Sequence, residues 1–199
     1  MKKPLIIGLT GSIGMGKSAV ASMLADEDIP VFDADAAVHD MQKRGGELIP
    51  AIESAFPGTT GADGVDRKAL GAAVFGDRDK LALLESIIHP AVGARRAVFL
   101  KTHRDADMIV FDIPLLFEKG GQANVDVVIV VSAPYDVQRL RVLGRPGMTA
   151  EKFDQIVALQ MNDADKRDRA DYVIDTGQDM QATRKDVRDL VKKLRAGLA

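Results

Sequence analysis

Residues 5–18 read LIIGLTGSIGMGKS: the apolar run Leu5–Leu9, glycines at 11, 14 and 16, then Lys17 and Ser18. The run is short and apolar, as expected of a strand buried on both faces. Val20, Met23 and Leu24 recur at i, i+3 and i+4 and predict a helix directly after the glycines. Between them, glycine permits torsions and close approaches that a side chain would block. Successive N–H groups of such a turn point inward at phosphate oxygens, and the following helix adds its positive end.

Gly11, Gly16, Lys17 and Ser18 fill every fixed position of the P-loop pattern G-x-x-x-x-G-K-[ST]. In this pattern the lysine neutralises the β- and γ-phosphates of a nucleotide, and the hydroxyl ligates Mg²⁺. Further short apolar runs at Pro30–Phe32, Met108–Ile113, Val127–Val131 and Tyr172–Ile174 read as parallel strands, with helical spacing between them. Strands alternating with helices predict an α/β, doubly wound, five-stranded parallel sheet of the P-loop NTPase class.

Two connections are too long for plain crossovers. The one between Phe32 and Met108 is mostly helical in pattern and would form a substrate domain; its Leu81, Leu84 and Ile88 stripe reads as core. The one between Val131 and Tyr172 is rich in arginine, is broken by Gly144-Arg145-Pro146-Gly147, and would form a lid. The expected division is therefore a nucleotide-binding core (1–34, 105–134 and 170–199), a helical insert (35–104) and a helical lid (135–169).

The 199 residues are 46% hydrophobic and 28% charged, enough for one good-sized core and a subdomain. A net charge of −2, two tyrosines and no tryptophan argue against a nucleic-acid partner. The absence of cysteine excludes disulfides, thiolate metal sites and cysteine catalysis. Met1-Lys2-Lys3 precedes an apolar run too short for a secretory leader, and no apolar stretch is long enough to span a membrane. The expectation is a cytoplasmic protein whose oligomeric state is left open, with a monomer favoured.

Asp33 closes the second predicted strand, at the end where ligands of doubly wound sheets bind. Phosphoryl transfer to an alcohol uses a carboxylate that orients the hydroxyl and takes its proton, and Asp33 is the candidate. Asp35 either shares that direction or caps the next helix. Asp112 ends the apolar Ile109-Val110-Phe111, the form of a Walker B element that steadies Mg²⁺. His89, before Pro90, reads from the residues alone as the end of a helix, pushed out of the α region by the proline. Arg141 and Arg145 stand four apart on one helical face with no acidic residue three or four positions away, as charge for a transferring phosphoryl group requires. The mixed run Asp163 to Arg169 reads as a solvated helix face.

These residues together resemble the dephospho-CoA kinase family over nearly the whole chain. The resemblance is carried by Leu9 to Ser18, Asp33-Ala34-Asp35, Asp66-Arg67 with Leu70, and Val74-Phe75. It continues through Leu84-Glu85, Ile88-His89-Pro90 and Pro114-Leu115-Leu116-Phe117-Glu118, to Gln138, Arg141, Arg145, Gln160 and Ala170 to Asp175. Ser12, Met15 and Ala19 depart from the residues common in the family and lie outside the fixed pattern. The resemblance implies Mg²⁺ as cofactor, ATP as donor and the ribose 3′-hydroxyl of dephospho-CoA as acceptor. It places ATP on Gly11, Ser12, Ile13, Gly14, Met15, Gly16, Lys17, Ser18, Arg141 and Arg145, and the acceptor on Asp33, Asp35, Arg67 and His89. Lys17, Asp33 and Arg145 would be catalytic, and Ser18 would face the metal; Asp112 joins it there on its Walker B form alone, since it is not a fixed feature of the family motif. The alternatives are a P-loop kinase acting on a nucleoside monophosphate and a GTP-hydrolysing switch. The switch would need Asn-Lys-x-Asp, but Asn124 and Asn162 are followed by valine and aspartate.

Overall fold

The structure is a computed structural model that describes residues 3–198. Met1, Lys2 and Ala199 lie outside the described residues, and with them most of the basic start weighed above as a leader. In chain order the elements are β1 (Leu5–Thr10), α1 (Lys17–Ala25), β2 (Val31–Asp33), α2 (Ala34–Gln42), α3 (Ile49–Ala55), β3 (Thr60–Gly61) and β4 (Gly64–Val65). Then follow α4 (Arg67–Val74), α5 (Arg78–Thr102), β5 (Met108–Asp112), β6 (Val127–Ser132), α6 (Tyr135–Leu143), α7 (Ala150–Ala158), α8 (Asp163–Asp168), β7 (Tyr172–Asp175) and α9 (Met180–Leu198). Packing divides the chain into two units, Met1–Phe32 with His103–Ala199, and Asp33–Thr102.

The first unit is built on the sheet β2-β5-β1-β6-β7. β1 lies at its centre, paired in parallel with β5 and β6, as the alternating α/β pattern predicts. Ile7, Leu9, Val110, Ile129 and Val131 are buried with Val20, Met23 and Leu24 of α1. α9 closes the same face by presenting Val187, Leu190, Val191 and Leu194, a stripe at helical period. A second cluster joins Val128 and Val130, which alternate along β6 with Ile129 and Val131 of the first, to Leu116 and Phe117 after β5, with Met161 and Ala170 against it. The three inner strands β5, β1 and β6 are therefore covered on both faces, which is why they read as continuous apolar runs, whereas the edge strands β2 and β7 leave residues such as Val173 exposed.

The second unit has its own core of Met41, Leu48, Ile52, Phe56, Leu70 and Leu84. Besides its helices it holds a short antiparallel hairpin, β3–β4, that the helical pattern did not signal. Leu81 is exposed, so the apolar stripe expected there contributes Leu84 and, partly buried, Ile88 to the core. Pro90 lies inside α5 rather than at its end, so His89 is helical and exposed, contrary to its reading as a helix terminus. The carbonyl that Pro90 leaves without a donor belongs to exposed Ser86, where water can take the bond. No helix among the described residues is long and apolar enough to cross a membrane.

Candidate active site

Residues 11–16 connect β1 to α1 at the carboxyl edge of the sheet, on the central strand, where ligands of such sheets bind. Gly11 is fixed by proximity: a Cβ there would come within 2.7 Å of the Val131 carbonyl oxygen. Met15 donates its N–H to Ser12 O at 3.1 Å, closing the turn, and its buried thioether accepts the Ala133 N–H at 3.1 Å. Gly16 caps α1 without a side-chain hydrogen bond, so no cap side chain competes for the first-turn N–H groups. Ser18, in that first turn, is exposed.

Asp112 reaches this loop through strand register. Leu9 of β1 pairs with Asp112 of β5, and the Ile113 N–H donates to Leu9 O at 2.9 Å. The last residue of β5 is thereby set beside the start of the loop, where the Asp112 carboxylate forms a hydrogen-bonded ion pair with Lys17. Both side chains are largely buried, and the pair fixes the lysine stem under the loop. The Ser18 hydroxyl and Asp112 carboxylate are hard oxygen donors that suit Mg²⁺. No group of three or more His, Cys, Asp or Glu able to hold a metal occurs among the described residues, so phosphate and water would supply most of the ligands.

α6 packs directly on the loop. Its Gln138 is 4% exposed and donates through Nε2 to Ile13 O at 2.8 Å, while Gln160, just past α7, accepts the Ile13 N–H at 3.0 Å. Arg141 donates to Thr176 O at 2.7 Å, and Thr176 Oγ1 donates to Met15 O at 2.6 Å. Arg141 is thus a brace between α6 and the residue after β7. Arg145 lies beyond the end of α6, exposed, so the two arginines do not share the helical face their spacing predicted. A cleft of about 480 Å³ opens between the loop and these elements, lined by Ser12, Met15, Tyr135, Asn162 and Arg167 among others. Lys17 and Ser18 are not among its lining residues.

The run Asp163 to Arg169 is not a solvated face throughout. Lys166 is fully buried, with Nζ 2.9 Å from Glu118 Oε1, and the same oxygen accepts the Met161 N–H at 2.8 Å. Burial pushes the Glu118 carboxyl up, but the ion pair with Lys166 and the hydrogen bond from Met161 outweigh it and hold the group below its usual value. Asp163 accepts from the Ser132 hydroxyl at 2.7 Å. A lysine flanked by aspartates and arginines carries no local signal of burial; only Glu118, distant in sequence, explains it. Thr176 likewise had no signal.

In the second unit, Asp33 caps α2 by accepting the Ala36 N–H at 2.8 Å. The cap is Asp33 and not Asp35, which lies in the first turn of the helix. Arg67 opens α4 behind the cap Asp66, and Asp33, Asp35, Arg67 and His89 are all exposed.

Comparison with known proteins places the chain in a family. The family model described as CoaE, Dephospho-CoA kinase, matches residues 5–181. A Novosphingobium aromaticivorans protein named Dephospho-CoA kinase is 60% identical over 195 residues, covering 98% of this chain and 97% of its own. One of the same name from Mesorhizobium japonicum is 51% identical, covering 96% and 97%. The crystal structure of TT1252 from Thermus thermophilus superposes with a TM-score of 0.82 at 33% identity, covering 97% of this chain and 99% of that one. The chain belongs to the dephospho-CoA kinase family.

Proposed function

We propose that the chain transfers the γ-phosphate of ATP to the ribose 3′-hydroxyl of dephospho-CoA, giving coenzyme A and ADP in the cytoplasm. The observation that carries this reading is the complete P-loop on the central strand of a parallel sheet, with Lys17 held by Asp112, in a chain of this family. Backbone N–H groups of the loop not engaged within the protein, that of Gly14 among them, hold the donor phosphates, and Lys17 offsets charge as the phosphoryl group leaves ADP. Ser18 and Asp112 would hold Mg²⁺, which supplies charge neutralisation on the β- and γ-phosphates.

Asp33 takes the proton of the attacking hydroxyl. One carboxylate oxygen is engaged by the Ala36 N–H, which fixes the group and leaves the other oxygen for the substrate. The unit Asp33–Thr102 carries the acceptor through Asp35, Arg67 and His89. Residues 135–169 supply Arg145, whose planar guanidinium suits phosphate oxygens. Because α6 is seated on the loop, the mobile part of this lid is the segment around Gly144 to Thr149 rather than α6.

The test is a panel of acceptors offered with Mg²⁺ and ATP, with ADP release as readout. Turnover with dephospho-CoA and not with AMP, CMP or UMP supports the assignment. Turnover with a nucleoside monophosphate alone would move the chain's activity to the rival kinase class.

A further inference from the structure

Gln138 and Gln160 grip the same residue of the P-loop from two different elements, one on its carbonyl and one on its N–H. Backbone chemistry dictates each amide's orientation, since a carbonyl needs a donor and an N–H needs an acceptor. Gln160 fixes the peptide Ser12–Ile13, whose opposite end, Ser12 O, is taken by the Met15 N–H. Gln138 fixes the next peptide, Ile13–Gly14. Across a trans peptide the C=O and N–H point in opposite directions, so holding Ile13 O sets the direction of the Gly14 N–H. Gly14 has φ of +79°, and a Cβ there would fall 2.5 Å from Val142 Cγ2 and 3.0 Å from Gln138 O, so the helix is seated against this very turn.

We propose that Gln138 and Gln160 are positioning residues for the donor nucleotide. Together they clamp two successive peptide planes and aim the Gly14 N–H at phosphate before ATP arrives. Gln160 is itself anchored: its neighbour Met161 donates to Glu118, which is paired with buried Lys166. The chain of contacts Lys166–Glu118–Met161–Gln160–Ile13 ties a buried ion pair to the shape of the loop. Preorganised donors bind phosphate without first paying to order themselves, so loosening either grip weakens nucleotide binding.

The inference rests on the reading of residues 11–18 as an ATP site, and titration calorimetry of the full chain with MgATP separates the two. Gln138→Met and Gln160→Met, which keep length but lose the amide, weaken MgATP binding by about 5- to 10-fold. Glutamate discriminates between the positions. Gln160→Glu can still accept the Ile13 N–H and recovers most of the affinity lost in Gln160→Met. Gln138→Glu turns an acceptor toward a carbonyl and recovers none. Both glutamates set one negative charge against the same residue, so repulsion of the nucleotide is common to the two. KM for dephospho-CoA stays within about 2-fold of wild type in every variant, as expected of a residue acting on the donor side. Rescue at both positions or at neither, or methionine variants that bind like wild type, would overturn the clamp. A wild-type chain that does not bind MgATP would overturn the loop reading beneath it.

Discussion

Lys17 sits in an ion pair with Asp112, so its charge is already oriented under the loop when nucleotide binds. Lys17→Ala should lower kcat by 10² or more, roughly 3 kcal/mol of transition-state stabilisation, in a protein that remains folded. Steady-state kinetics with circular dichroism as a fold check tests this, and near-normal turnover would remove Lys17 from the chemistry. Asp33→Asn is a cleaner substitution than the sequence alone could promise. Asparagine caps a helix as well as aspartate does, so the bond to Ala36 and the start of α2 survive. What is lost is the proton acceptor, and kcat should fall by about 10² to 10⁴ with MgATP binding nearly unchanged. Loss of ATP binding with kcat intact at saturation would place Asp33 in the donor site. The loop residues were legible because their chemistry is local, fixed by glycine spacing and one lysine. The Lys17–Asp112 pair was legible only as two separate candidates, because the β1–β5 register that joins them is a long-range fact. Thr176 and Lys166 were not legible, since each owes its role to a partner more than thirty residues away in sequence.

The elements around the loop differ in how firmly they are held. α6 is fastened by Gln138 and Arg141 and buries Val142, whereas Arg145 stands past its end beside Gly147, at φ +74°. Arg145→Lys keeps the charge but loses the fork, and kcat should drop by about 10-fold or more. On the proposed reading this segment closes over ATP and so also keeps water from the γ-phosphate. Free phosphate and phosphorylated acceptor, measured in parallel, should therefore shift toward hydrolysis in the variant. An unchanged ratio with lower kcat would leave Arg145 an electrostatic role only. The ion pair behind Gln160 gives a different signature, in stability. The folded Glu118 carboxyl lies below its usual value, so its contribution is fully present above about pH 4.5 and fades as pH falls through the lowered folded value. Glu118→Gln leaves Lys166 buried without its counter-charge and should cost about 3 kcal/mol at neutral pH. In denaturant titrations the gap between the two proteins should narrow below about pH 4.5; a gap constant down to pH 2 would contradict the pair's role. Strand positions came through from the sequence within a residue or so, because short apolar runs bounded by polar or glycine residues leave little ambiguity, even on the edge strands β2 and β7. Helix ends did not: an exposed proline is tolerated within α5, and Asp33 rather than Asp35 caps α2.

Over the whole molecule, each unit closes its own apolar cluster, one around the parallel sheet and one among α2 to α5 with the β3–β4 hairpin. The long gap between β2 and β5 announced the second unit, since a crossover needs far fewer residues. Its hairpin went unannounced, because two-residue strands are too short to show a period. The division of labour proposed for these units, donor on one and acceptor on the other, reduces to a single reaction at a single oxygen. The purified full chain is incubated with Mg²⁺, ATP and dephospho-CoA, and the product is examined by mass spectrometry and phosphorus NMR. The account predicts a gain of one phosphate located on the ribose 3′-oxygen, with one ADP released for each. Phosphate elsewhere on dephospho-CoA, or ADP formed only with release of free phosphate, would contradict it.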